Sequence, residues 1–214
     1  MNLAEMIAVA REDYLNDVQE PRLWSDEQIA RALNDALVDA VRRGRLIVDN
    51  SRKVTVRGAC ARLDADIIYI KRAAVMGRGT RLRRVSIKDL DDSCPGWQND
   101  VGEPLFYLVD AGSGELRLYP APPAEVEVSL CVVREPVRMS ADDDVPEIAA
   151  RLHYALIHGA CARLLVRPDK ETMDAQAAAW HESQFAAEFG QPSSATDETW
   201  IHENYDAAAM EGVF

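Results

Sequence analysis

The sequence predicts an α+β fold: a helical bundle of two N-terminal and two C-terminal helices, an antiparallel β domain inserted between the pairs, and an extended C-terminal arm. Three observations carry this reading. Apolar residues recur at helical spacing before residue 45 and again after residue 137, whereas between them they recur every second residue. The last stretch has no period at all. The expected segments are therefore residues 1–45, 46–136, 137–190 and 191–214. A chain of 214 residues, 48% hydrophobic and 28% charged, can bury one real core or two small ones. No run approaches the roughly 18 apolar residues that cross a bilayer. The opening MNLAEMIAVAREDY places Glu5 ahead of any basic residue and does not read as a signal peptide.

In the first helix Leu3, Ile7, Ala10 and Tyr14 share a face behind Asn2 as N-cap. Ser25 and Gln28 form a capping box for the second, with Asp26 and Glu27 in its first turn. Ile29, Leu33, Ala36, Leu37, Ala40 and Val41 make one apolar stripe there, and Gly44 is the expected stop. Leu46–Val48, Val54–Val56, Ile67–Ile70 and Leu82–Val85 are short strands, and Ser86 caps a helical turn, Ile87 to Asp92. Residues 104–136 read as a three-stranded meander: a strand from Leu105, a glycine turn at 111–114, a strand at Leu116–Leu118, a triple-proline corner, and a strand at Val126–Val132. Pro146 is expected in the first turn of a third helix, whose Ile148, Leu152, Leu156 and Ala160 share one face. A fourth helix is expected from Lys170 to about Phe189, with Met173, Ala177, Trp180, Gln184 and Ala187 inward, ended by Gly190 and Pro192. Acidic residues with spaced aromatics from 193 onward suit an arm that orders on a partner.

Little in the chain points to catalysis. GxSxG and HExxH do not occur, and Met76–Thr80 is a glycine turn without the GK[ST] of a phosphate loop. His153 and His158 are five apart, off the spacing of paired helical ligands, and read as ordinary polar residues at the edge of the third helix. Asp89, Asp91 and Asp92 read as a helix-end acidic patch rather than an ion site. Cys60, Cys94, Cys131 and Cys161 lie 30 or more residues apart without CxxC, so free thiols are expected and no zinc. No catalytic, metal or cofactor residue is assigned.

The net charge of −12 hides an asymmetry. Between Arg42 and Lys88 there are 14 Lys and Arg against three acids; from Asp169 to the end there are ten acids and one Lys. Such a division favours contact between copies or with an oppositely charged partner, or else merely solvates separate faces. Arg78, Arg81, Arg83 and Arg84 are the candidates for a subunit-facing or DNA-facing basic surface. With only Tyr69 nearby, they offer no base-stacking platform.

Three stretches carry a resemblance: LWSDEQIARALNDALVDAV at 23–41, LRRVSIKDLDDSCPGWQNDVGEPLFYLVDAGSGELRLYPAPP at 82–123, and DDDVPEIAARLHYALIHGACARLL at 142–165. The Trp-Ser-Asp-Glu helix start, the PGW…G-P-x-x-Y segment and the LRLYPAPP corner resemble the head-to-tail connector (adaptor) proteins of tailed bacteriophages. That resemblance implies a non-enzymatic virion protein of the neck, made in the host bacterial cytoplasm. It would form a ring, a dodecamer by analogy, beneath the portal protein, extend the DNA channel and dock a tail or nozzle protein. DNA would pass without specific binding, and no membrane is involved. The resemblance further implies that the C-terminal arm grips the portal, for which Trp200, Ile201, Tyr205 and Phe214 are the candidates. Two other classes stay open: a peptidoglycan hydrolase of the phage tail, and a DNA-contacting module using the basic insert.

Overall fold

The computed structural model describes residues 1–110, 114–168 and 173–192. Among them are five α-helices and seven β-strands, divided between a helical unit (Met1–Ile47 with Glu135–Pro192) and a β unit formed by Val48–Arg134. No helix among these residues is long and apolar enough to cross a membrane.

In the helical unit, α1 (Leu3–Val9) starts at a capping box in which Asn2 accepts the N–H of Glu5 and Glu5 reaches back to Asn2. It continues into a π-helical turn, Ala10–Tyr14. From that turn Arg11 enters the interior, where its guanidinium meets Asp17, Asp26 and the Trp24 carbonyl. Asp17 in turn accepts the N–H groups of Leu23 and Trp24, so one buried pair fixes the connecting loop. Helix α2 (Asp26–Gly44) begins at the expected Ser25–Gln28 box, and all six residues of its expected stripe are buried. The left-handed residue at its end is Arg45 (φ 48°) rather than Gly44. A Cβ at Gly44 would lie 2.7 Å from the Leu46 side chain, which would have to shift to admit it. Asn34, also buried, donates to the Met139 carbonyl and accepts the Met139 N–H at 2.9 and 2.8 Å, tying α2 to the returning chain.

The third helix departs from expectation. Residues 146–149 are not helical; a 3-10 turn, Ala150–Leu152, leads into α4 (His153–Leu165). Tertiary bonds hold the preceding chain out of a helix. Glu147 accepts the Val137 N–H, and the Ile148 carbonyl lies 3.3 Å from His153 Nε2. Helix α4 buries residues on every side, as a central helix does. His153 is therefore no edge residue: it is 1% exposed, and its Nδ1 lies 3.0 Å from the N-terminal amine.

Helix α5 (Ala175–Phe189) starts later than Lys170, at Asp174, which accepts the Ala177 N–H. Its inner face also differs. Ala178, His181, Phe185 and Phe189 are buried, while Met173 and Trp180 stay more than half exposed. Phe185 lies against Gly159 of α4 and under the guanidiniums of Arg43 (4.8 Å) and Arg163 (5.5 Å). Both arginines bond Asp39 of α2, and Arg43 also bonds Glu182 of α5.

The β unit is a curled sheet in the order β1-β7-β3-β4-β5-β6-β2, built from β1 (Val48–Val56), β2 (Cys60–Arg62), β3 (Ile67–Val75), β4 (Arg81–Arg84), β5 (Phe106–Asp110), β6 (Glu115–Tyr119) and β7 (Val126–Arg134). All neighbours are antiparallel except the parallel pair β4–β5. The β5–β6 hairpin forms as expected, although residues 111–113 of its turn lie outside the described residues. The meander does not. After the proline corner β7 crosses to lie between β1 and β3, where Val128, Leu130 and Val132 have strand neighbours on both sides. These residues share one core with Val56, Ile70, Leu82, Tyr107, Leu116 and Leu118. A near-continuous apolar run such as Ser129–Val133 suits a central strand.

Helix α3 (Ile87–Ser93) and a 3-10 turn, Trp97–Asn99, form a second, smaller core: Leu90 and Trp97 pack with Val85 and Leu108. Gly96 (φ 84°) allows the turn. Trp97 Nε1 donates to Asp91 at 2.8 Å, and Arg117 lies 4.6 Å over its ring.

A Gly159→Ala substitution would set a Cβ 2.5 Å from the Phe185 ring, which is fully buried and clamped by two guanidiniums. Overpacking of about 1–3 kcal/mol should exceed the helix-propensity gain of about 1 kcal/mol. Urea unfolding is expected to show a net loss; an unchanged or raised midpoint would contradict the packing described.

Candidate functional site

The four candidate arginines lie on or beside the β3–β4 hairpin. Val75 donates to the Thr80 carbonyl to close the glycine turn, and Ala73 pairs with Leu82 and Ala74 with Arg81. Alternation then divides the basic residues. Leu82 and Arg84 turn into the unit; Arg81 and Arg83 turn outward and are exposed. Arg84 is 5% exposed, with its guanidinium 5.8 Å from the Tyr69 ring, so it is no surface cation. Arg78, at the turn, pairs with Glu103 at 3.4 Å. Only Arg81 and Arg83 of the four are exposed and without an ion pair among the described residues.

A third member was missed from the sequence. Extending the β3–β4 register by one residue sets Arg72 opposite Arg83, on the outward face that also carries Arg81. Arg72 is exposed, and its neighbour across β7 is Cys131. The hairpin spacing about Met76–Thr80 was the signal that could have located it.

The three acids of the basic stretch are drawn elsewhere. Arg52 bonds Asp49 at 3.0 Å, Asp64 at 2.9 Å and Asp66 at 2.5 Å. Asp49 is pushed down to about 2, first by the Ser51 hydroxyl and N–H and then by Arg52. Arg57 pairs with Glu125 and Lys53 with Glu127. The hairpin cations therefore keep their field.

In the helical unit, His158 and His181 face each other with Nδ1 atoms 2.8 Å apart. Tyr14 packs on both rings at 4.7 and 5.6 Å, and Trp180 covers them at 5.2 and 4.9 Å. Sequence reading took neither histidine as part of such a cluster, because His181 and His158 meet only when α5 docks on α4. Burial, then the neighbouring His158, pushes His181 down to about 4; burial alone lowers His158. One ring must accept the other's N–H, so the pair is stable only with a neutral acceptor. Burial also pushes the Cys161 thiol up to about 12, which leaves it unreactive. No cluster of three or more metal-ligating side chains occurs among the described residues. Asp89 is used in the capping box of α3, and Asp91 by Trp97. Trp200, Ile201, Tyr205 and Phe214 lie outside the described residues.

Compared with known proteins, residues 1–207 match the family model described as SU10 adaptor protein. No curated protein matches the chain.

The His158–His181 contact makes a pH prediction. A histidine held neutral in the folded state contributes stability that is present above its unfolded value, near 6.5, and is lost as pH falls toward 4. Unfolding free energy should drop by about 1–2 kcal/mol from this pair between pH 7 and 5. His181→Gln should flatten that slope relative to the parent chain; an equal slope in both would contradict the assignment.

Proposed function

The chain belongs to the SU10 adaptor protein family, and we propose from that premise that it works as a head-to-tail adaptor in the neck of a tailed phage particle. The observation that carries this is the extent of the match, which spans both the helical and the β unit. In this reading copies of the chain form a ring, a dodecamer by analogy with similar connectors, beneath the portal protein. The ring continues the DNA channel and presents a docking surface to a tail or nozzle protein. Helices from residues 1–45 and 137–190 complete one bundle, residues 46–136 form the inserted β domain, and residues 191–214 form an arm. Trp200, Ile201, Tyr205 and Phe214 serve as apolar anchors of that arm on the portal, since aromatic groups give much contact area for few ordered bonds. A net charge of −12 suits a channel wall that duplex DNA slides past without specific binding. The role is structural rather than enzymatic. The protein is made in the host bacterial cytoplasm and is incorporated into the virion without a membrane step.

Two measurements test this. Electron microscopy and mass determination of the chain mixed with a portal ring from the same genome should show a portal-bound ring of many copies. A chain that stays at 23.8 kDa beside the correct portal would overturn the reading. Removal of residues 191–214 should leave the parent circular dichroism and melting curve but abolish portal association. Undiminished association would remove the arm from the interface.

A further inference from the structure

We infer that the outward face of the β3–β4 hairpin, carried by Arg72, Arg81 and Arg83, is one half of the contact between adjacent copies of this chain, and that it receives the acidic surface of the next copy's helical unit. The inference rests on the ring reading above and identifies a surface that would hold such a ring together.

The argument begins with an unfavourable arrangement. Cross-strand neighbours lie about 5 Å apart, and like charges directly opposite one another destabilise a sheet. Continuing the β3–β4 register one residue beyond its two pairs puts Arg72 and Arg83 in such positions, with Arg81 on the same face two residues along. All three are exposed and have no carboxylate partner among the described residues. Several other cations of the unit are engaged: Arg52, Arg57, Lys53 and Arg78 each hold an acid, and Arg84 is buried on Tyr69, while Arg62, Lys71 and Lys88 are exposed. Three like charges gathered on one face of a hairpin favour an anionic partner from outside the unit.

The chemistry of the face narrows that partner. Ala74, Ser129 and Cys131 lie beside Arg72, and half-buried Phe106, the β5 partner of Arg83, lies at the other end of the face. Phe106 stacks on Tyr119 and packs against the Trp97 core, and Tyr69 is 5% exposed, so neither ring is free to stack a base. Planar guanidiniums on a flat surface suit carboxylates, which they bind in pairs of parallel bonds. The chain itself supplies them. Over the described residues of Met1–Ile47 and Glu135–Pro192 there are 17 Asp and Glu against 10 Arg and Lys. Exposed Glu12, Asp13, Asp142 and Asp143 are among those acids. A ring also requires a heterologous interface, in which two different and complementary patches of one molecule meet. A basic patch on one unit and an acidic excess on the other meet that requirement.

Self-association of the full-length chain, followed by sedimentation over a series of salt concentrations with and without the portal ring, tests the inference. The parent chain should associate, with affinity falling as salt rises. The R72E/R81E/R83E variant should keep the parent melting curve and lose roughly tenfold or more in association. R72K/R81K/R83K, which keeps the charge but not the paired bonds, should associate more weakly than the parent and more strongly than the glutamate variant. If the glutamate variant assembles like the parent, this face is not the interface, while the adaptor reading stands. If it assembles normally but loses a salt-sensitive affinity for duplex DNA, the occupant is a phosphate backbone and the inference fails. Salt-sensitive association that needs these arginines but never engages a portal would keep the interface and overturn the adaptor reading.

Discussion

The helical unit depends on how Phe185 is held. The ring fills the space left by Gly159, and the guanidiniums of Arg43 and Arg163 lie over it. Those cations have their charge balanced by Asp39, and Glu182 completes the set. Three helices thereby share one apolar anchor and one ionic cluster. Cations this far from water are tolerated only with partners, and here each guanidinium has both a carboxylate and an aromatic face. The position of α5, and with it the His158–His181 contact and the exposed Trp180, follows from this arrangement. A unit closed by α1 and α2 alone would leave the side of α4 that packs on α5 without cover.

Local signals were legible in the sequence. Asn2 as N-cap, the Ser25–Gln28 capping box, the stripe of α2 and the β5–β6 hairpin need only residues a few positions apart, and they formed as read. What was missed depends on distant partners. The inward face of α5 was decided by Phe185 finding Gly159, and the delayed start of α4 by Glu147 reaching Val137. The course of β7 shows the same limit. Three prolines predicted a break after β6, but not that the chain would cross to β1 and β3, because strand order is set by which edges can bury Val128, Leu130 and Val132.

The basic surface was legible by half. Arg81 and Arg83 follow from alternation in β4, yet Arg84 was grouped with them although the same alternation turns it inward onto Tyr69. Arg72 belongs to the face through a register that composition does not reveal. A run of charge along the chain is thus a poor map of charge in space: one arginine, Arg52, draws in all three acids of the basic stretch. Folding concentrates positive potential on one hairpin that the sequence spreads over some forty residues.

The two hydrogen bonds between Asn34 and Met139 join residues 105 positions apart, whereas the strands from Val48 to Arg134 are contiguous. This sets an order during synthesis. As the chain leaves the ribosome, the sheet has all its strands before α2 meets either the returning segment or α4. Domains tend to fold as units as they emerge, so the β unit can close first and bring the ends of its segment into place. The helical unit is left as the late-assembling half, with α2 held in waiting until its partners are translated.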